Sequence, residues 1–242
     1  MAQSMQIDGA RRGYPMRIVV WGTAALLWLL PLVAMQFTTE VDWDAADFIV
    51  FGVMLLAACG TYELSLRLSA SPAYRAGFGM AVVAAFLLAW VNLAVGMIGD
   101  EGNPANLLFA GVLGVGIVGA AIGRFRPAGM ARTLAAMALT QVAIAVVALV
   151  AGWDDRGAVL SGLFGLLWFA SAALFRVGAD ANLPVRAQKL EVHAILSLLT
   201  LVLGALLLVM MVVVEGEPGL IPVAVLVVGG FWHGLARCAR RA

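Results

Sequence analysis

Apolar runs of about 20 residues, separated by short charged turns, recur along this chain, and a helix of that length crosses a hydrocarbon core about 30 Å thick. The clearest case lies between Trp90 and Arg126. There an apolar run, the acidic turn Asp100-Glu101-Gly102-Asn103-Pro104 and a glycine-threaded apolar run closed by Arg124 and Arg126 read as a transmembrane hairpin, whose turn is expected only to reverse direction. Eight such spans are expected, at 17–37, 46–66, 76–98, 104–123, 130–152, 157–176, 190–213 and 219–236. The chain is thus an all-α polytopic membrane helix bundle in a single integral-membrane domain, 1–242. With 63% hydrophobic and 12% charged residues, against about 25% charged in a soluble domain, the surplus apolar surface needs the bilayer as its solvent.

The connecting segments sort by sign. Arg11, Arg12 and Arg17, then Arg67 and Arg75, then Arg124, Arg126 and Arg132, then Arg176, Arg186 and Lys189, then Arg237, Arg240 and Arg241 fall on one side, leaving Arg156 as the exception. The alternate loops hold Glu40, Asp42, Asp44 and Asp47, then Asp100 and Glu101, then Asp154 and Asp155, then Glu215 and Glu217. By the positive-inside rule both termini are expected in the cytoplasm. The first span is too long for a signal h-region and Val33-Ala34-Met35 is a poor cleavage site, so it is expected to be retained. Trp21, Trp43, Trp90 and Trp153 sit near span ends, as interfacial rings do.

A weak internal repeat accompanies the topology. Trp43-Asp44 and Trp153-Asp154 are 110 residues apart, as are Gly52 and Gly162, and Glu101-Gly102-Asn103-Pro104 returns as Glu215-Gly216-Glu217-Pro218. Halves at 17–126 and 130–241 would then form a 4+4 parallel pseudo-repeat about an axis along the membrane normal. Short acidic Gly-Pro turns are also ordinary hairpin chemistry, so the pattern has a local explanation as well.

Chemistry-bearing residues are few. Cys59 and Cys238 offer neither a disulfide framework nor a thiolate metal site, and no phosphate loop, zinc-protease helix or nucleophile elbow is present, so a non-enzymatic protein without a cofactor is expected. Asp42, Asp44 and Asp47 form the densest acidic cluster, more simply the complement of the basic side than a cation site. Glu63 is an acid within a span, expected to pair with Arg67 one turn on. Asn92, Thr140 and Gln141 are the deep polar side chains. Interhelical hydrogen bonding is their expected role, with Asn92, Gln141 and Glu63 the substrate-binding candidates if the protein carries a solute. His193 and His233 fall at the same end of the last hairpin and are the candidates for metal or haem ligation, against the simpler reading of isolated interfacial histidines. Gly111, Gly114, Gly119 and Gly123, with Gly116, mark the fourth span as a tightly packed central helix.

The run Trp90-Val91-Asn92-Leu93-Ala94-Val95-Gly96-Met97-Ile98-Gly99, with Asn103-Pro104-Ala105-Asn106 and Pro31-Leu32-Val33-Ala34-Met35-Gln36-Phe37-Thr38, resembles a group of uncharacterised small multi-pass inner-membrane proteins of bacteria. The resemblance covers roughly the first two thirds of the chain and implies a membrane location but no activity, since the group has no assigned function. The last two spans lie outside it, which counts against a simple duplication. The sequence thus favours a structural or accessory component. Its expected partners are the lipid bilayer, copies of itself or a larger membrane complex, and not nucleic acid. A carrier or channel for a small neutral solute and a haem-binding redox subunit are the alternatives.

Overall fold

Proline and side-chain caps set most of the helix starts in the computed structural model, which describes the backbone of residues 2–215 and 220–241 and the side chains of 17–208 and 222–239. The helices are α1 (Ala2–Ala34), α2 (Ala45–Leu68), α3 (Pro72–Ala94), α4 (Leu107–Ile122), α5 (Pro127–Val150), α6 (Asp155–Ala179), α7 (Val185–Glu215) and α8 (Leu220–Arg241), with a short 3-10 turn, Pro104–Asn106, leading into α4. Ser71 caps α3 by accepting from the Tyr74 N–H at 3.2 Å, with Pro72 in the first turn where its missing N–H costs nothing. Asp44 and Asp47 form a reciprocal capping box on α2: the Asp44 carboxylate accepts from the N–H groups of Ala46 and Asp47, and Asp47 accepts from the Asp44 N–H. Asp154 caps α6 in the same way as Asp44 caps α2, so the repeated Trp-Asp pairs share a local capping role. Of the turn that recurs at Glu215-Gly216-Glu217-Pro218, residues 216–218 lie outside the described residues.

Among the described residues, all eight helices are long and apolar enough to cross a bilayer, and the molecule is an all-α polytopic membrane helix bundle. Their outer surfaces agree with lipid as solvent: Ile117, Ile122 and Val150 are 73%, 78% and 85% exposed.

The chain divides into two compact units, Met1–Arg67 and Leu68–Ala242. In the first, Trp28 of α1 bridges to α2: its indole N–H donates to the Phe48 carbonyl at 3.0 Å, its ring meets Phe48 edge-on at 5.8 Å, and Gly52 leaves room for it. At the opposite end of the same pair, Arg17 and Glu63 form an ion pair of 2.6 Å. Glu63 thus reaches across to α1 rather than along its own helix to Arg67.

In the second unit α5 and α6 are the centre: 44% of each apolar span is buried, against 17% for the span containing α4. Small residues on α6 make this happen. Gly165 lies against Val142 and the Ala138 carbonyl of α5, and on another side Gly77 of α3 packs on Leu174, Phe175 and the Ser171 carbonyl. The Ser171 hydroxyl closes that crossing by donating to the Gly77 carbonyl at 2.6 Å. Around it, Tyr74 stacks with Phe78 and meets Phe175 edge-on at 5.0 Å, while its hydroxyl donates to the Phe125 carbonyl at 2.9 Å. The expectation that the fourth span is the central helix is therefore corrected. Gly119 of α4 and its C-cap Gly123 do approach α5, against Thr133 and Gly129, but Gly111 and Gly114 have open space where a Cβ would stand. In α7 and α8, Gly204 packs on Val225 and Leu226, and Gly229 on Thr200 and Leu201.

Candidate functional site

The turn after α3 is a built element rather than a bare reversal. The helix stops at Ala94, four residues before the expected end of the span, because Gly96 and Gly99 adopt left-handed φ angles of +76° and +69°. The chain folds back between them, and Met97 and Ile98 become 2% and 0% exposed. Burying backbone there requires partners for its polar groups, and Asn106 supplies them. Its Oδ1 accepts from the N–H groups of Met97 and Ile98 at 3.0 and 2.9 Å, and its Nδ2 donates to the carbonyls of Ile98 and Asp100 at 3.3 and 2.7 Å. Asn103 caps the 3-10 turn, accepting from the Ala105 N–H at 3.0 Å, and α4 begins only at Leu107.

The loop is also fastened to α6. Asp154 accepts from the Gly99 N–H through Oδ2 and from the Arg156 N–H through Oδ1, each at 3.0 Å. Desolvation raises this carboxyl, but the N–H groups of Gly99, Gly157 and Arg156 and the Arg156 charge outweigh it and hold Asp154 below the ordinary value of 3.8. Gly157 completes the joint, since a Cβ there would overlap the Met97 carbonyl oxygen.

Beside this loop lies a cavity of about 580 Å³ lined by Asn92, Glu101, Asn103, Leu107, Phe109 and Leu113 among others. Asn92 donates to the Leu88 carbonyl of its own helix at 2.7 Å, leaving a buried Oδ1 without a protein partner. That atom is an acceptor for a ligand N–H or O–H.

The other predicted residues are dispersed. Gln141 is fully buried between α5 and α6, donating to the Ser161 hydroxyl at 3.1 Å, and it does not line the cavity beside Asn92. The substrate-binding candidates Asn92 and Gln141 therefore do not share this cavity. Of the three deep polar residues, Gln141 alone is seen to bridge helices; Thr140, like Asn92, bonds a carbonyl one turn back, that of Ala136. Glu63 lies in the first unit, on Arg17. His193 and His233 both reach the α7–α8 contact: His193 meets Trp232 edge-on at 6.1 Å, and His233 Nδ1 lies 3.0 Å from the Ser197 hydroxyl. Among the described residues no three His, Cys, Asp or Glu side chains converge.

Sequence reasoning missed Asn106, the Asp154–Gly99 bond, Gly157 and the Ser161 and Ser171 hydroxyls. One signal was present for the first of these: two glycines bracketing the apolar pair Met97-Ile98 inside an otherwise acidic turn mark apolar backbone that has to be buried. Compared with known proteins, the chain matches no family model, no curated protein and no solved structure.

Proposed function

We propose that this integral membrane protein is a non-enzymatic structural or accessory component of a bacterial inner-membrane complex, with both termini in the cytoplasm. The observation that carries the reading is the Gln141–Ser161 hydrogen bond at the centre of the α5–α6 pair. Both side chains are fully buried and engage each other where a solute path through the middle of the bundle would need exposed polar groups. The segregation of arginine from carboxylate along the loops supports the orientation. A partner would meet the protein within the bilayer or through its short loops.

The cavity beside Asn92 favours a second reading, a carrier for a small neutral solute that donates a hydrogen bond to the unpartnered Oδ1. Two measurements separate them. The accessory reading expects one partner at fixed stoichiometry when the full chain is purified from native membranes, and vesicles reconstituted with the protein that take up glycerol and urea no faster than empty vesicles. Faster uptake that Asn92→Leu abolishes would replace it with the carrier. The haem alternative at His193 and His233 requires a Soret band in the purified protein, and the accessory reading expects none.

A further inference from the structure

A second cavity, of about 720 Å³, runs between α5 and α6 at the end of the bundle opposite Asp154, lined by Arg132, Arg176, Ala131, Ala135, Ala172 and Phe169 among others. Its shape follows from composition. The two helices are antiparallel neighbours, so the first turns of α5 lie beside the last turns of α6, and both faces carry alanine where larger side chains would fill the gap. Ala131 and Ala172 are buried and form the floor, while Arg132 and Arg176 are exposed on the rim.

The charges are left uncompensated. No carboxylate among the described residues pairs with either arginine; Arg132 Nε donates only to the Ala128 carbonyl of its own helix at 3.3 Å. Asp180, one turn beyond Arg176, accepts instead from the Asn182 N–H. Two guanidinium groups on one rim fit a phosphodiester, which planar forks bind in bidentate fashion. The groove is also ordered along its length. Phe169, 41% exposed, stands seven residues before Arg176, about 10 Å deeper along α6, with only alanine between the two on the groove wall. Cationic at one end and apolar at the other, within a membrane span, is the arrangement an amphiphile matches and a free anion does not.

We propose that this groove binds one anionic phospholipid, its phosphodiester held by Arg132 and Arg176 and one acyl chain lying over the alanine floor toward Phe169. The full chain, purified in mild detergent, is titrated with phosphatidylglycerol or phosphatidylcholine and the lipid retained is counted by native mass spectrometry. The expected result is one phosphatidylglycerol retained about tenfold or more in preference to phosphatidylcholine. R132Q/R176Q loses that preference, whereas R124Q/R126Q, which removes the same charge from the same end but outside the groove, keeps it. Ala135→Phe, filling the groove with both arginines intact, also releases the lipid while leaving the melting temperature within a few degrees. Equal loss in the two double variants would reduce the effect to general surface charge and overturn the site. Retention unchanged in R132Q/R176Q would overturn it as well, and displacement of the lipid by millimolar inorganic phosphate would remove the lipid assignment.

Discussion

Asn106 illustrates how much one side chain can organise in a chain of mostly apolar residues. It bonds four backbone groups around Met97, Ile98 and Asp100, three of them buried, a density of bonding that a short acidic turn does not need for mere reversal. Asn106→Ala leaves two buried N–H groups without acceptors, each costing about 1–3 kcal/mol. A loss on the order of 3 kcal/mol is expected in a detergent melt, together with faster amide exchange at Met97 and Ile98 while the interior of α5 stays protected. Asp154 makes the same loop acid-sensitive. Its carboxyl is depressed in the folded protein, so its contribution is complete above the unfolded value and is lost as pH falls through the folded value, below 3.8. The melting temperature of the native chain should therefore drop on acidification below about pH 4. Asp154→Asn, which keeps a capping oxygen but cannot titrate, should remove that part of the pH dependence. An unchanged acid profile in the variant would show that Asp154 does not couple the loop to α6.

Helices that look interchangeable by composition turn out to differ by what their small residues meet. The glycines of α4 read as one packing stripe, yet Gly119 and Gly123 face α5 whereas Gly111 and Gly114 face outward. A Cβ on Gly129 of α5 would stand 2.7 Å from the Gly123 Cα, backbone against backbone, with no flexible side chain to move aside. Gly129→Ala should thus cost about 1–3 kcal/mol by forcing α4 and α5 apart. Gly111→Ala, with open space around it, should be neutral or gain up to about 1 kcal/mol of helix propensity. Thermal melts of the two variants decide this, and equal effects would mean that the α4–α5 approach is not as described. The second unit centres on α5 and α6 for the same reason. Gly157, Ser161, Gly165 and Ser171 along α6 let the folded-back loop, α5 and α3 come close, and glycines spread over a longer helix hid this beside the denser run of α4.

At the scale of the whole molecule, the main hydrophobic core runs from Tyr74 to Phe175 and so falls entirely within the second unit. Residues 68–242 expressed without α1 and α2 should insert and melt within a few degrees of the full chain, and a collapse of that transition would show that the division into units is not energetic. The proposed orientation has its own check. In a background lacking Cys59 and Cys238, a cysteine placed beside Glu101 should react with an impermeant thiol reagent in intact cells, and one beside Arg126 should not. The opposite pattern would invert the topology. Sequence by itself determined the helical class, the eight spans and the sorting of charge, because lipid demands internally bonded backbone over a fixed length and those demands are written in local composition. The caps at Ser71, Asp44 and Asp154 are local as well, acting within one turn. Only the tertiary structure decided that Glu63 pairs with Arg17, that Gln141 meets Ser161, that Asn106 and Asp154 hold the folded-back loop, and that Arg132 and Arg176 share a groove. Each of those depends on which faces of all-round apolar helices turn toward each other, and a helix with no hydrophobic side to hide carries no periodic signal of which face that will be.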